Sequence, residues 1–470
     1  MNYDRIKQLA KEQKKTVYDL LALAPGNDPF YVGQPMQKEW AYWLHELWQK
    51  LGLREGVHLR RIHYQLVSQD PPLLTPSGKL YENTDTCWDQ LCKASKWARY
   101  LDLIPIDAFV DRRNPDPIVS ASFVPDTKPK FYVNGYYDEY GYSLPQVPTL
   151  SLLPDSLPSL PYFHTEGYQE IQQPFLIEIW AEKTTMNDVL EPLCRKYQAN
   201  LITGMGELSI TAVGKDFLAR VRQADRPARI LYISDFDPAG MGMPVSVARK
   251  IEFELYKPNL SKKLDIKLQP IVLSVEQITK YRLPKVPVKD SDKRKSNFQA
   301  AYGEGQVELD ALEALYPGEL AKIVETEILK YYDPSLRLRA IAVESQLLEA
   351  LEEQQDEVLS SFDTELAEID NDYRQLLEEF EGTRKEFDEL VKPFQDKINA
   401  YQGRLQQILT RRQSVHYQLV DEMNSTDVDT TSFPLPVPKL LSESNSVLYD
   451  SKRDYLAQLA AYIRRKGNAA

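Results

Sequence analysis

At 470 residues, with 43% hydrophobic and 27% charged side chains, the chain has the composition of a globular protein too long for one core, so two to four folding units are expected. It has no N-terminal apolar leader and no apolar run of about 18 residues, which argues against export and membrane insertion and makes the cytoplasm the expected location. The net charge of −12 looks hostile to nucleic acid, but residues 341–400 alone hold 18 Asp and Glu against 5 Lys and Arg, so the remainder is close to neutral and can carry basic faces.

Residues 1–35 read as a short helical extension, "DRIKQLAKEQKKTVYDLLAL", closed by a Pro/Gly turn. From 36 to 125 comes a compact helical unit: "MQKEWAYWLHELWQKLGL", "HLRRIHYQLVSQ" and, after a polar loop, "NTDTCWDQLCKASKWARYLDLIP". Trp40, Trp43, Leu44 and Trp48 recur at helical spacing, and Asn83 or Thr84 can cap the third helix. "IDAFVDRR" then predicts a short strand. Three helices followed by a strand is the pattern of a winged-helix module, although other small helical folds share it. Cys87 and Cys92 lie on the same predicted helix, and with Cys194 they form no CxxC pair, so all three read as core thiols. Five scattered histidines argue against a His-based metal site.

Residues 126–172, rich in Pro, Tyr, Ser and Leu and without periodicity, read as a linker or draped extended segment. From 173 to 341 strand and helix patterns alternate ("FLIEIWA", "MNDVLEPLCRKYQ", "NLITGMG", "TAVGKDFLARVRQ", "RILYISD", "MPVSVARKIEFEL", "IKLQPIVLS"), which predicts an α/β domain with a parallel sheet flanked by helices. Its tail holds a basic loop, "RLPKVPVKDSDKRK", and a helical stretch, "VELDALEALYPGELAKIVETEILKYY". From 342 to 422 the pattern is an acidic coiled coil or long helix, with Phe362, Leu366, Ile369, Tyr373, Leu376 and Phe380 alternately four and three apart. Gly382 and Pro393 interrupt it, so a kink or antiparallel return is expected there. Residues 423–470 read as a Ser/Thr/Pro loop and a short helix.

The stretch "ILYISDFDPAGMGMP" carries the clearest chemistry, because an apolar strand runs straight into Asp235 and Asp237. In an open parallel sheet ligands bind at the carboxyl ends of strands, and strand residues two apart point the same way. Two converging carboxylates repel unless a cation with hard-oxygen preference relieves them. The plain alternative is a turn and helix N-cap before "MPVSVARKIEFEL". The first strand, "FLIEIWAEK", also ends on an acid, Glu182, and Gly204 and Gly206 after the second allow close backbone approach.

A Glu after the first strand, a glycine turn after the second and DxD after the third resemble the Toprim domain of topoisomerases, primases and related nucleases, over roughly 100 residues. "SDFDPAGMGMP" is similar to the signature of the topoisomerase VI A subunit and its relative, the meiotic double-strand-break transesterase. The resemblance implies that Glu182 is the general acid/base or a metal ligand and that Asp235 and Asp237 hold Mg²⁺. In that family a winged-helix domain precedes Toprim and carries the nucleophilic tyrosine in an Arg-x-x-Tyr/Phe-Tyr context. Here Arg60 stands four residues before Tyr64, and His63 replaces the usual aromatic residue.

A tyrosine of ordinary pKa, about 10, needs a base or cation to attack phosphorus, and Arg60 or Arg61 can supply the cation while clamping a phosphate bidentately. Metal held by the carboxylates would stabilise the leaving 3′ oxygen. His63 is a weak candidate base, since adjacent helical residues point about 100° apart. With 28 tyrosines in the chain, a core role for Tyr64 is the plain alternative.

Lys93, Lys96 and Arg99 recur at i, i+3 and i+6 on what would be the recognition helix, as a phosphate-tracking stripe or an ordinary solvated face. The loop 282–295, with Lys293, Arg294 and Lys295, is a stronger candidate for phosphate contact. The acidic coiled coil should assemble subunits or hold a partner. The resemblance implies a homodimer acting on double-stranded DNA, and the absence of a Walker A motif implies a separate ATPase for strand passage. The expected function is Mg²⁺-dependent DNA cleavage by tyrosine transesterification. The alternatives are a hydrolytic Toprim nuclease, for instance in defence against foreign DNA, and a non-catalytic DNA-binding scaffold.

Overall fold

The computed structural model describes residues 2–110, 114–123, 128–137, 156–204, 208–257, 264–387, 395–426, 428–440 and 447–467. Helix α1 (Tyr3–Glu12) is capped by the Asn2 side chain, which accepts the Arg5 N–H. Helix α2 (Pro35–Lys50) opens on a proline, whose missing N–H is harmless at that position, and Gln37 Oε1 accepts the Gly33 and Gln34 N–H groups. Helix α3 (Leu59–Val67) starts where His58 Nδ1 accepts the Arg60 N–H, and α4 (Asp85–Tyr100) is capped by Thr84. Helices α2 and α4 pack against each other and bury Trp40, Leu44, Leu91, Ala94 and Ala98. Between α3 and α4, Leu74 and Leu80 pair across a tight turn.

Among the described residues 106–110 of "IDAFVDRR" no strand forms. Phe109 makes one isolated bridge with Val57, and residues 111–113 lie outside the described residues. The segment is instead docked on a helix: the Thr211 hydroxyl donates to the Ile106 carbonyl (3.1 Å), and Ile106 packs so closely on Gly214 that a Cβ there would meet it at 2.5 Å.

Strands β1 (Lys130–Asn134) and β2 (Tyr162–Glu166) pair antiparallel. The α/β region follows: β3 (Leu176–Ala181), α5 (Asn187–Lys196), β4 (Asn200–Thr203), a π-helical turn at Ala212–Phe217 leading into α6 (Leu218–Ala224), β5 (Ala228–Ile233), α7 (Met243–Leu255) and β6 (Ile266–Val272). Its tail comprises α8 (Val275–Tyr281), α9 (Lys295–Tyr302), α10 (Leu309–Leu315) and α11 (Glu319–Ile328). Three long helices come next, α12 (Leu336–Ser360), α13 (Asp363–Phe387) and α14 (Gln395–Asn424), and the chain ends with β7 (Tyr449–Asp450) and α15 (Tyr455–Gly467).

The chain is mixed α/β, with a five-stranded sheet of order β4-β3-β5-β6-β7. The first four strands are parallel and β7 closes the edge antiparallel. Every residue of β3, β4 and β5 is buried, as expected for a parallel sheet covered on both faces. Glu178, fully buried in β3, is held by two guanidinium nitrogens of Arg220, Nε and Nη2 (2.8 and 2.9 Å), and by Asn200, so this carboxylate is a satisfied structural group.

Two compact units result. One comprises Met1–Val124, Gln173–Asp333 and Pro438–Ala470, and the other Pro125–Gln172 and Pro334–Val437. The first unit thus holds the helical module, the α/β sheet and the C-terminal segment. In the second unit α13 and α14 run antiparallel, with Arg404 paired to Glu379 and Arg411 to Asp372 over a core of Ile369, Leu376, Leu405 and Leu419. Gly382 does not interrupt the helix but lies inside α13, while the sequence between α13 and α14 that contains Pro393 is outside the described residues. The return between α13 and α14 falls between Phe387 and Gln395, and a further break at Ser361 and Phe362, between α12 and α13, carries no breaker residue. The segment read as a linker contributes β1 and β2, because Phe163 and Tyr168 find apolar partners in Leu347, Leu351 and Met423, and Thr165 donates to Glu344 at 2.7 Å. Among the described residues no helix is long and apolar enough to cross a membrane.

Candidate active site

Strands β3 and β5 are parallel neighbours with Ala181 opposite Ile233, so the residues after them emerge side by side at the carboxyl edge of the sheet. Glu182 follows β3 at once and its N–H donates to the Ile233 carbonyl (3.0 Å). Asp235 follows β5, and its N–H donates to Glu182 Oε2 (3.3 Å). The turn through Pro238 folds back over both residues. A Cβ at Gly240 would stand 2.3 Å from the Asp235 carbonyl oxygen and 3.0 Å from Glu182 Oε2, so only glycine fits.

Strand alternation, which would aim Asp235 and Asp237 the same way, does not extend through them. β5 ends at Ile233, and Phe236 bridges to Val307 instead. Asp235 is buried; its Oδ1 accepts the Leu309 N–H (2.7 Å) and its Oδ2 lies 2.9 Å from Lys183 Nζ. Asp237 Oδ1 accepts the Ala239 and Gly240 N–H groups (2.8 and 2.6 Å). It therefore caps the turn rather than α7, whose N-cap is Gly242.

Three groups at this edge were missed from sequence. Lys183 Nζ bridges Asp235, Glu308 and Asp310. Lys183 adjoins Glu182, but Glu308 and Asp310 lie more than a hundred residues away, and no spacing rule connects them. Their one sequence signal is local: they flank Leu309, at the start of a helical pattern.

The charges shape one another. Burial, then the neighbouring Asp235 and Asp237, pushes the Glu182 carboxyl up to about 7. Burial also raises Asp235, opposed by the Leu309 N–H and Lys183. Burial pulls the Lys183 amine down, but bonds to Glu308, Asp235 and Asp310 override it and hold the amine above its ordinary value. Arg294, held up chiefly by its pairing with Asp292, also feels Asp237 and Glu182, which brings the basic loop close to the carboxylates.

Among the described residues no three acidic, His or Cys side chains are already gathered as a ligand set for a metal ion. Lys183 sits on Asp235, and one oxygen of Asp237 is turned into its own turn. The donor chemistry nevertheless fits a hard divalent cation. Glu182 and Asp235 stand at adjacent strand ends with Asp237 two residues on, and Glu182 makes no ion pair among the described residues.

On α3, Ile62, His63 and Leu66 are buried while Arg60, Arg61 and Tyr64 are exposed, so the three expected functional side chains share the outer surface. Tyr64 is 49% exposed and is not a core residue. Arg60 stacks on Trp88, 4.6 Å from the ring centre. His63 Nδ1 meets the Tyr81 hydroxyl (2.7 Å) and Nε2 meets Asn83 Oδ1 (3.1 Å), which removes it as a base for Tyr64. Among the described residues no hydrogen bond or ion pair joins Tyr64 to the carboxylates.

The lysine and arginine stripe on α4 is mostly engaged internally. Lys96 donates to the Gly26 carbonyl (2.7 Å), Arg99 lies over the Phe109 ring, and only Lys93 is exposed. In the basic loop Lys293 is exposed, Arg294 pairs with Asp292 and Lys295 with Asp290. Gly204 follows β4, its N–H donating to the Ala181 carbonyl (3.0 Å), while Gly206 lies outside the described residues. No protein-family model matches the chain, and no curated protein matches it.

Proposed function

We propose that this protein is a Mg²⁺-dependent DNA-cleaving enzyme of the Toprim type, resembling the topoisomerase VI A subunit, with Tyr64 as nucleophile. The observation that carries the reading is the contact between Glu182 and Asp235 at the ends of adjacent parallel strands, with Asp237 two residues on in a turn that only Gly240 can make. Asp235 and Asp237 would hold the ion, with Glu182 either a further ligand or the general acid, and the ion when bound supplies charge stabilisation to the phosphate and the leaving 3′ oxygen. Arg60 and Arg61, exposed on the same helix as Tyr64, would clamp the phosphate. The Tyr64 hydroxyl loses its proton to solvent and its oxygen forms a bond to phosphorus as the bond from phosphorus to the 3′ oxygen breaks, leaving Tyr64 on the 5′ end. Glu182, held near neutrality, can give a proton to the 3′ oxygen. Tyr64 and the carboxylates then act on one phosphate by way of a homodimer, each subunit lending its tyrosine to the other's carboxylates. A separate ATPase would drive strand passage.

One observation favours a second reading. Tyr64 has no base or cation bonded to its hydroxyl among the described residues, whereas Glu182 is suited to activating water, so direct hydrolysis is the runner-up.

Incubating supercoiled plasmid with the purified protein and Mg²⁺, with and without protease before electrophoresis, tests both. Breaks with protein on their 5′ ends, lost in Tyr64→Phe, are expected. Protein-free breaks that survive Tyr64→Phe would establish hydrolysis. Plasmid bound but left intact, equally by the wild type and by Asp235→Ala/Asp237→Ala, would point to a DNA-binding scaffold.

A further inference from the structure

The first unit contains a cavity of about 610 Å³ whose lining includes Pro238 and Ala239, immediately after Asp237. In a chain with 69 Asp and Glu against 57 Lys and Arg, no acidic side chain is among the described residues that line it. Two guanidinium groups are. Arg294 stands at the rim, and Arg465, half-buried on α15, makes no ion pair among the described residues. Burial pulls the Arg465 guanidinium below its ordinary value, with Tyr302 partly opposing. The N-terminus of α7, which takes no side-chain cap, forms part of the wall and adds positive potential. The apolar wall is aromatic, with Phe298 and Tyr302 in mutual contact at 5.2 Å, and Asn27 and Asn297 add amide groups.

Such a lining suits a ligand with an anionic end and a planar body with hydrogen-bonding edges. Guanidinium groups take phosphate oxygens, aromatic faces take bases, and amides read base edges. We propose that this cavity binds a nucleoside phosphate, taken either as a free nucleotide or as one nucleotide of a DNA strand whose neighbouring phosphate lies at the carboxylates. The strand source rests on the DNA-cleavage reading; the free source does not.

The test uses the full-length protein in EDTA, so that no cleavage is needed, and two probes: 2-aminopurine deoxyriboside 5′-monophosphate and a single-stranded oligonucleotide carrying one 2-aminopurine. A saturable fluorescence change is expected, with affinity weakened at least tenfold by Arg465→Gln and by the cavity-filling Ala301→Phe. Thermal melting of each variant identifies any loss that comes from unfolding, and either folded variant suffices. Binding of the mononucleotide identifies a free ligand; a response from the oligonucleotide alone identifies the strand. No response to either probe, or responses that survive both substitutions, would overturn the proposal. Plasmid cleavage with unchanged fluorescence would reject the cavity and keep the cleavage reading, and the reverse pattern would do the opposite.

Discussion

Lys183 Nζ lies 2.9 Å from Asp235 Oδ2, so a lysine at the end of β3 already neutralises the buried carboxylate at the end of β5. The amine also pairs with Glu308 and Asp310. A cation entering among Glu182, Asp235 and Asp237 competes with that amine. Lys183→Met should therefore tighten Mg²⁺ binding about tenfold, or roughly 1.4 kcal/mol. It should also lower the stability of the metal-free protein by about 3 kcal/mol, since Asp235 loses its buried partner. Calorimetric Mg²⁺ titration and melting in EDTA measure the two effects; weaker Mg²⁺ binding would mean that the lysine supports the ion instead.

Arg249 joins three distant parts of the chain. Fully buried on α7, it binds Asp28 (3.0 Å), Glu252 (2.8 Å) and the Tyr455 hydroxyl (2.9 Å), and lies 4.1 Å from the Phe30 ring centre. Arg249→Met strands two buried carboxylates and should cost about 3–5 kcal/mol. Adding Asp28→Asn should recover part of that loss. Hydrogen exchange across α7 and α15 reads the loss locally, and a double variant no more stable than the single would remove the pairing argument.

Acid should loosen the C-terminal segment. Burial pushes the Asp265 carboxyl up, but Lys452 and Arg229 outweigh it and hold the group below the usual carboxylate value. A depressed folded value means that the pairing stabilises fully above the unfolded pKa, about 4, and is lost as pH falls through the lower folded value. Asp265→Asn should lower the melting temperature above pH 6, and its gap from the wild type should close below pH 4. A gap independent of pH would show that the carboxylate's charge is not what matters.

Gly382 lies inside α13 with nothing within 4 Å of where a Cβ would stand. Gly382→Ala should stabilise the second unit by about 0.5–1 kcal/mol, by reducing the freedom of the unfolded chain. Urea unfolding followed on that unit checks the sign, and a decrease would mean that the position needs glycine.

Where local patterning sets the structure, the sequence was readable. The tryptophan-rich α2, the Thr84 cap, the strand-helix alternation and the antiparallel return between α13 and α14 all follow from periodicity and end signals within a few residues. Two short strands in a Pro- and Tyr-rich stretch were not readable, because β1 and β2 exist through burial against α12 and α14. "IDAFVDRR" had strand composition, but over its described residues it finds only the single bridge from Phe109 to Val57.

The candidate site divides along the same line. By itself the sequence determined that Glu182 and Asp235 stand at strand ends and offered a turn at Asp237 as one reading, since each is a property of a few adjacent residues. Only the tertiary structure decided that β3 and β5 are neighbours, that Lys183 reaches Asp235, that Glu308 and Asp310 join them, and that Lys96 turns inward to Gly26. Charges act through space over a few ångströms whatever their separation in the chain, so their partners are set by how the sheet and its flanking segments pack.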